Sequence, residues 1–302
     1  MSPWQHWFSP ATPPLAFIIA LLLTVSRVSA ADAQQEAPGP SIVGIDHIPV
    51  GVRDLEQASD AYRRFGFTLK PGRLHEDGIR NNHVKFKDGS GIELLAPPGK
   101  SVDTLTEKYL HHIEKGDGPA YVSFHARDTN KLIAALDSSG LEFKQDGFIT
   151  LTDPSLDFVF FDQDNRSPTD KPEHFSHPNS AAAMTGVWLA LDDRARASLT
   201  KLFLSLGAQM HEEVVAAPTL TRASVFTVQN GRVVVLPKSQ QWVDGRPVIG
   251  AVFQVRDFTT AARYLGTRTE LHLPGGTATA GQRCLVIPPT LAHGLWLEFC
   301  EN

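Results

Sequence analysis

Residues 44–67, GIDHIPVGVRDLEQASDAYRRFGF, contain the pattern that decides the fold. They predict a short apolar strand that ends in an acidic turn at Asp54, an amphipathic helix, and a glycine, Gly66, that ends the helix. Asp54 is a typical N-cap residue, because its side-chain oxygen can accept hydrogen bonds from the first free backbone N–H groups of a helix. Gly66 suits the left-handed position that follows many helices.

The same pattern occurs four times along the chain. Acidic turns at Asp54, Asp128, Asp193 and Asp257 each follow an apolar strand and precede a helix. Strand-like segments follow each helix and are joined by turn sequences such as KDGS at residues 87–90. The repeat is therefore predicted to be a βαβββ module present in four copies.

The modules are expected to pair, because about 55 residues cannot bury one face of a four-stranded sheet alone. Pairing predicts an α+β protein with two curved, eight-stranded, open-barrel domains and helices outside. The predicted domains are residues 42–165 and 183–300, joined by the polar, proline-rich residues 165–179. A ferredoxin-like α+β array is the alternative architecture.

The N-terminal segment has the order of an export signal. Residues 15–25 are apolar but too short to span a bilayer core, and a small-x-small pattern follows at residues 28–30. We expect residues 1–30 to be a signal peptide and the mature protein to be periplasmic or secreted, with no stable membrane span after cleavage. Two alternatives stay open: residues 15–25 form a membrane anchor, or the start codon of the sequence is misassigned.

Composition excludes several classes of function. The 302 residues carry a net charge of −5, so the chain has no general attraction for nucleic acid. The sequence contains no GxGxxG, GxxxxGK[ST], HExxH or GxSxG motif, which argues against a nucleotide cofactor, a zincin and a hydrolase. The expected partner is a small molecule, and a homodimer is left open.

Several motifs together resemble the vicinal-oxygen-chelate superfamily, in particular its glyoxalase-like branch. They are the stretch at residues 44–67, VKFKDGSGIELL at residues 84–95, the His-Pro-Asn motif at residues 177–179 and the closing strand at residues 293–299. The resemblance implies paired βαβββ modules around a divalent metal. It also implies lyase, isomerase or dioxygenase chemistry on a small oxygenated substrate, although some members of the superfamily bind small molecules without metal.

Strand alternation selects the candidate site. In the first strand Ile48 and Val50 share the face that the helix must cover, so His47 is expected on the opposite, inner face. In the last strand of the same module Glu93 also faces inward. An inward carboxylate needs a cation or hydrogen-bond donors, and an imidazole with a carboxylate suits Zn²⁺, Fe²⁺, Ni²⁺ or Mn²⁺.

We therefore predict His47 and Glu93 as metal ligands, with His125 of the second module as a third. If Glu93 is not a ligand, it is the candidate catalytic acid or base. The alternative is that His47 and Glu93 bond to each other or to water. The second module has Tyr121 where His47 stands in the first.

The second half of the chain has fewer candidate ligands. Its last module has Gly250 at the position of His47 and keeps only Glu298 facing inward. His177 and Asn179 of the His-Pro-Asn motif are expected either to cap a loop or to offer donors to a ligand.

The two cysteines, Cys284 and Cys300, are predicted to lie directly opposite each other in the final hairpin. They form either a disulfide, as an oxidising compartment would allow, or two buried thiols.

Three functions remain open. The first is a metal-dependent lyase, isomerase or dioxygenase, the second is a metal-free small-molecule binding protein, and the third is a purely structural domain. Fold alone does not choose between them.

Overall fold

The structure, a computed structural model, describes residues 42–162, 166–216, 219–266 and 282–301. The expected signal peptide, residues 1–30, lies outside the described residues. Among the residues described, no helix is long and apolar enough to cross a membrane.

The first sheet is built from two modules. Its strands are β1 (Ile42–Gly51), β2 (Lys70–Leu74), β3 (Arg80–Lys85), β4 (Gly91–Ala96), β5 (Gly118–Pro119), β6 (Val122–Ala126), β7 (Phe143–Asp146), β8 (Phe148–Leu151) and β9 (Val159–Asp162), and its helices are α1 (Leu55–Arg64), α2 (Thr104–Glu114) and α3 (Thr129–Ser138). The strand order is β2-β3-β4-β1-β6-β9-β8-β7, with β5 attached to β1. The two modules thus join through their first strands, β1 and β6, which run antiparallel.

The second sheet repeats this arrangement. Its described elements are β10 (Ala181–Leu191), α4 (Asp193–Ser205), β11 (Gln209–Val215), β12 (Thr221–Val228), β13 (Gly231–Pro237), β14 (Val248–Val255), α5 (Phe258–Gly266), β15 (Cys284–Ile287) and β16 (Trp296–Glu301). The strand order is β11-β12-β13-β10-β14-β16-β15, and β10 joins β14 antiparallel. The strand expected next after α5 falls at residues 267–281, outside the described residues. The prediction of paired βαβββ modules in two open sheets is confirmed.

Helix caps explain why the modules keep the same shape. Asp54 accepts from the backbone N–H groups of Glu56 and Gln57, both at 3.0 Å, at the start of α1. In the third module the cap is Asp192, one residue before the predicted Asp193. Gly66 ends α1 with a φ of +83°, a conformation that glycine adopts without steric cost.

One hydrophobic core lies on the helix side of both sheets. Val50 and Val52 of the first module are fully buried there, as the strand pattern predicts. Phe67 from the first half lies 5.1 Å from Phe253 of the second, measured between ring centroids. Phe124 lies equally close to Phe203 of α4. The two sheets therefore share a core on their helix sides. Their inner faces lie away from this core and carry different residues.

Apolar side chains fill the part of the inner face of the second sheet that surrounds Trp188. Trp188 is fully buried and packs with Val234, Ile249 and neighbouring apolar residues. Gly250 lies directly opposite Trp188 in the ladder between β10 and β14. A Cβ atom at Gly250 would lie 2.6 Å from the indole Cε3, so glycine is required for this contact.

The final hairpin is covalently linked. Cys284 lies opposite Cys300 between β15 and β16, the register that the sequence predicts. The two residues form a disulfide, with Cα atoms 4.1 Å apart. Of the two alternatives, the structure therefore has the disulfide.

Candidate functional site

A β-bulge at Asp46 shapes the centre of the first sheet. Ile45 lies opposite Phe124 and His47 lies opposite Ser123, so Asp46 is an extra residue without a partner on β6. Bulges re-aim side chains. Here the carboxylate of Asp46 lies beside the imidazole of the next residue, with His47 Nδ1 2.6 Å from Asp46 Oδ2.

His47 and Glu93 face each other on the inner face. Glu93 lies beside Pro49 in the parallel ladder between β1 and β4, one step along the strand from His47. His47 Nε2 is 3.6 Å from Glu93 Oε2, and the two side chains are 13% and 15% exposed. Asn81 Nδ2 donates to the other carboxylate oxygen, Glu93 Oε1, at 2.6 Å. The predicted pair is thus brought together and held from both sides.

Electrostatics favour a proton on His47 when no metal is bound. Burial acts to lower the pKa of His47, but the Asp46 carboxylate, followed by Glu93 and Asp162, outweighs burial and raises the pKa above its ordinary value. The Nδ1–H is oriented by Asp46, which leaves Nε2 directed toward Glu93. The charge of the site therefore depends on what occupies the space beside Nε2.

His83 is a site residue that the sequence analysis missed. It lies directly opposite Glu93 in the antiparallel ladder between β3 and β4. Burial lowers the pKa of His83 to about 4, so its imidazole is neutral at pH 7. The sequence holds an approximate signal, because symmetry about the KDGS turn at residues 87–90 places His83 opposite Leu94, one residue from its observed partner Glu93.

Buried cations extend the inner face beyond His83. Lys70 pairs with His83 across β2 and β3. Its ammonium group contacts Asp170, whose other carboxylate oxygen lies 3.2 Å from Lys85 Nζ. All three side chains are at most 8% exposed. Two buried lysines thus share one carboxylate at this end of the inner face.

A hydroxyl group and an aromatic wall complete the site. Ser123, opposite His47, is fully buried, and its Oγ has no hydrogen-bond partner within the part of the chain that the structure describes. Phe160 lies next to Ser123 on β9 and contacts the His47 ring edge-on, with 5.5 Å between centroids. Tyr121 lies 6.4 Å from Phe160 and 5.8 Å from Tyr109 of α2. Alternation placed Tyr121 in the site, but no sequence signal indicated that the Ser123 hydroxyl would lack a partner.

His125 lies on the same strand face as Ser123, one pleat further from His47. Its neighbours in the sheet are Gly44 on β1 and Asp162 on β9. Among the residues that the structure describes, His47, Glu93 and His125 do not form a cluster with all ligand atoms within 4.8 Å of one another. The structure thus brings the first two predicted ligands together and places the third farther along β6.

The second sheet has different residues at the equivalent positions. Its first strand carries a bulge at Thr185, followed by Gly186 where His47 stands in the first sheet. In the last module Gly250 takes the His47 position, and Glu298, beside Val252, takes that of Glu93. Trp188 packs on Gly250 and leaves no room for an imidazole at that position.

The His-Pro-Asn motif links the two halves through backbone groups. His177 Nε2 donates to the Lys85 carbonyl at 3.0 Å, and its Nδ1 accepts from the Thr68 N–H at 3.0 Å. Asn179 Nδ2 donates to the Phe65 carbonyl at 2.9 Å. Burial lowers the pKa of His177 to about 4, consistent with a neutral ring that both donates and accepts. Of the two expectations for this motif, the loop-capping role is the one observed.

Similarity to solved structures supports the fold. The chain matches a xylose isomerase-like TIM barrel/4-hydroxyphenylpyruvate dioxygenase fusion protein (12% identity, TM-score 0.59), covering 87% of this chain and 50% of that longer one. It matches a triple mutant of 4-hydroxymandelate synthase from Streptomyces coelicolor at 12% identity and a TM-score of 0.61, over 87% and 92% of the two chains. It matches homoprotocatechuate 2,3-dioxygenase from Brevibacterium fuscum, in an anaerobic complex with 3,4-dihydroxyphenylacetate, at 12% identity and a TM-score of 0.58, over 88% and 82%. At this level of identity the likeness shows the fold alone.

Sequence comparison identifies the family. No protein of curated function matches the chain. The model of the glyoxalase-like domain family matches residues 45–203, which is just over half of the chain and includes all of the first sheet except the first three residues of β1. The protein therefore belongs to the glyoxalase-like domain family and has the fold of the vicinal-oxygen-chelate superfamily.

Proposed function

We propose that this protein is a divalent-metal-dependent enzyme that acts on a small oxygenated substrate at the inner face of the first sheet. The observation that carries the proposal is the facing pair of His47 Nε2 and Glu93 Oε2, 3.6 Å apart, with the imidazole oriented by Asp46. The reaction class is lyase, isomerase or dioxygenase, and the structural neighbours named as dioxygenases add weight to the last of these.

The donor atoms fit a metal ion. Nitrogen and oxygen ligands lie about 2.0–2.2 Å from Zn²⁺, so two ligands of one ion at angles of 90–120° are about 3.0–3.6 Å apart. The observed separation is at the upper end of that range. A carboxylate on the second nitrogen of a ligating histidine is a common outer-shell arrangement, and Asp46 holds that position. Zn²⁺, Fe²⁺, Ni²⁺ or Mn²⁺ would suit this donor set.

Two protein ligands would leave several positions for oxygen atoms of the substrate. A bound divalent metal would act as a Lewis acid on adjacent substrate oxygens. If Glu93 is not itself a ligand, its carboxylate would hold or move a proton, with Asn81 bound to its Oε1 atom. Ser123 Oγ would donate to a substrate oxygen, while Phe160 and Tyr121 would exclude water from the reacting atoms.

A metal-free small-molecule binding protein is the second candidate. The observation in its favour is that the polar side chains of the site already contact one another: His47 contacts Asp46 and Glu93, and Asn81 donates to Glu93. With a proton on His47, its positive charge lies between the two carboxylates without a metal ion. In that case the unpartnered Ser123 hydroxyl and the aromatic wall would bind a ligand without chemistry.

Metal content tests the proposal. The purified protein and its His47→Ala and Glu93→Ala variants would be analysed by mass spectrometry for Zn, Fe, Ni and Mn, before and after dialysis against each metal. We expect one metal ion per chain, lost in both variants and kept in His211→Ala, which removes a half-exposed histidine on β11. Metal-free protein that also fails to bind any of the four ions would overturn the proposal and favour the binding protein.

Export is a separate proposal. We propose that residues 1–30 are removed, with residues 15–25 acting as the apolar part of the signal, which would place the site in a periplasmic or extracellular compartment. Intact-mass analysis of protein from its native cells is expected to show a chain that begins near Ala31. A membrane-bound chain that still carries Met1 would support the anchor instead.

A further inference from the structure

A second group of metal-binding atoms lies in the last module. The disulfide between Cys284 and Cys300 is adjacent to Glu298, and the ligand atoms of the three residues all lie within 4.8 Å of one another. Glu298 is fully buried, and the residues beside it on the flanking strands are Val252 and Val286. A carboxylate is rarely placed at such depth unless it is paired, hydrogen-bonded or ligating.

The chemistry of the group depends on its redox state. A disulfide sulfur is a poor metal ligand, whereas the thiolates of two reduced cysteines are strong ligands for Zn²⁺, with Zn–S distances of about 2.3 Å. Two thiolates on one tetrahedral ion are therefore about 3.7 Å apart. Cα atoms 4.1 Å apart on one hairpin already hold the two sulfurs on the same side of the sheet.

Space for a fourth ligand is available. Cys300 lines a cavity of about 410 Å³, together with Gln254, Gln282 and Arg232. Water or a small anion in this cavity could complete a tetrahedral site whose other three ligands come from the protein.

We propose that the Cys284–Cys300 disulfide conceals a latent zinc site formed by Cys284, Cys300 and Glu298. A dithiol reductant supplies two electrons, cleaves the S–S bond and is itself oxidised to a disulfide, while two protons go to the protein sulfurs. Zn²⁺ then binds the two thiolates and the carboxylate and releases those protons. Reduction thus turns a covalent cross-link into a metal cross-link at the same place in the hairpin.

The arrangement of the modules explains why the site would differ from the one in the first sheet. Glu298 takes the position of Glu93, but the His47 position is Gly250, and the space above it is filled by Trp188. In the last module the neighbouring metal-binding atoms are therefore the sulfurs of β15 and β16. The two sites are independent, since no residue is shared between them.

Zinc binding by the reduced protein tests the proposal. A His47→Ala background removes the site proposed in the first sheet, so that zinc bound in the last module is counted alone. We expect the oxidised protein to gain no zinc in equilibrium dialysis, and the protein reduced anaerobically with dithiothreitol, which is then removed, to gain one ion per chain. Co²⁺ in place of Zn²⁺ should give thiolate-to-metal absorption only after reduction.

Variants separate the proposed ligands from general effects of reduction. Cys284→Ser with Cys300→Ser should abolish the gain, and Glu298→Gln should weaken affinity at least about tenfold, the lower bound for loss of an outer-shell partner. Glu301→Gln, which changes a partly exposed carboxylate on the same strand, should leave affinity unchanged. The proposal is overturned if the reduced protein gains no zinc, or if the double serine variant still gains zinc. It is also overturned if reduction alone, before metal is added, abolishes the near-UV circular dichroism signal of the fold.

Discussion

Replacing Gly250 by alanine should destabilise the protein through one identifiable contact. A Cβ atom at this position would lie 2.6 Å from Trp188 Cε3 and 2.8 Å from Cδ2. Non-bonded carbon atoms approach to about 3.5–4.0 Å, so the indole would have to move by roughly 1 Å. Trp188 is fully buried and packs against Val234 and Ile249, which leave it little room.

The expected loss follows from this overlap. Inserting one carbon atom into a packed core costs about 1–3 kcal/mol, and the depth of the overlap places Gly250→Ala near the upper end. For a folded unit of this size, each kcal/mol lowers the melting temperature by about 2–4 °C. We therefore expect a fall of roughly 6–12 °C.

Thermal and urea unfolding of the two variants would measure the effect. Gly99→Ala is the matched control, because nothing lies within 4 Å of its added Cβ, and a change within about 0.5 kcal/mol is expected there. Adding Trp188→Leu to Gly250→Ala should cost less than the sum of the two single changes, because the smaller side chain relieves the overlap. Unchanged stability of Gly250→Ala, or strict additivity in the double variant, would refute the reasoning.

Three further predictions follow from other contacts. The imidazole of His177 has a pKa of about 4 in the folded state against 6.5 in the unfolded chain, so NMR should show it neutral down to pH 5. The free energy of unfolding should fall by up to about 1.4 kcal/mol per pH unit as the pH drops from 6.5 toward 4, because only the unfolded chain takes up the proton there. An imidazole that titrates near 6.5 would contradict this. Replacing both Cys284 and Cys300 by serine should cost about 3 kcal/mol, the value for closing a loop of about 15 residues, and equal denaturation midpoints for wild type and variant would argue against it. Arg246→Met should lower the free energy of unfolding in urea by at least about 2 kcal/mol, because the buried guanidinium donates to the backbone carbonyls of His112, Gly116 and Asp117. Arg194→Met, on the exposed surface of α4, is the control and should change it by less than about 1 kcal/mol.

The repeated features of the fold were predictable from the sequence because they are local. An acidic cap, an apolar face and a glycine after the helix recur in each module, and they appear in the structure close to the expected residues. The opposition of Cys284 and Cys300 followed from the symmetry of a hairpin about its turn. The inward direction of Glu93 followed from the two-residue period of a strand.

The features that the sequence did not reveal depend on contacts between distant segments. The Ser123 hydroxyl lacks a partner among the described residues because of the strands that flank β6. The packing of Trp188 on Gly250 depends on contact between two modules. His83 is a partial exception, since hairpin symmetry about the KDGS turn would have placed it within one residue of Glu93.

The bulge at Asp46 has a consequence for comparing distant relatives of this protein. From the helix cap back to His47, side chains of β1 alternate between the inner face and the core with a two-residue period. At Asp46 the alternation shifts by one residue, so that Ile45 and Ile48 both enter the core. A gap-free alignment to a strand without a bulge would therefore pair inward residues with outward ones on the N-terminal side. Transfer of a ligand position between such relatives is sound only when it is anchored on the pairing with the neighbouring strands, and an apparent loss of the histidine can be a shift of one residue.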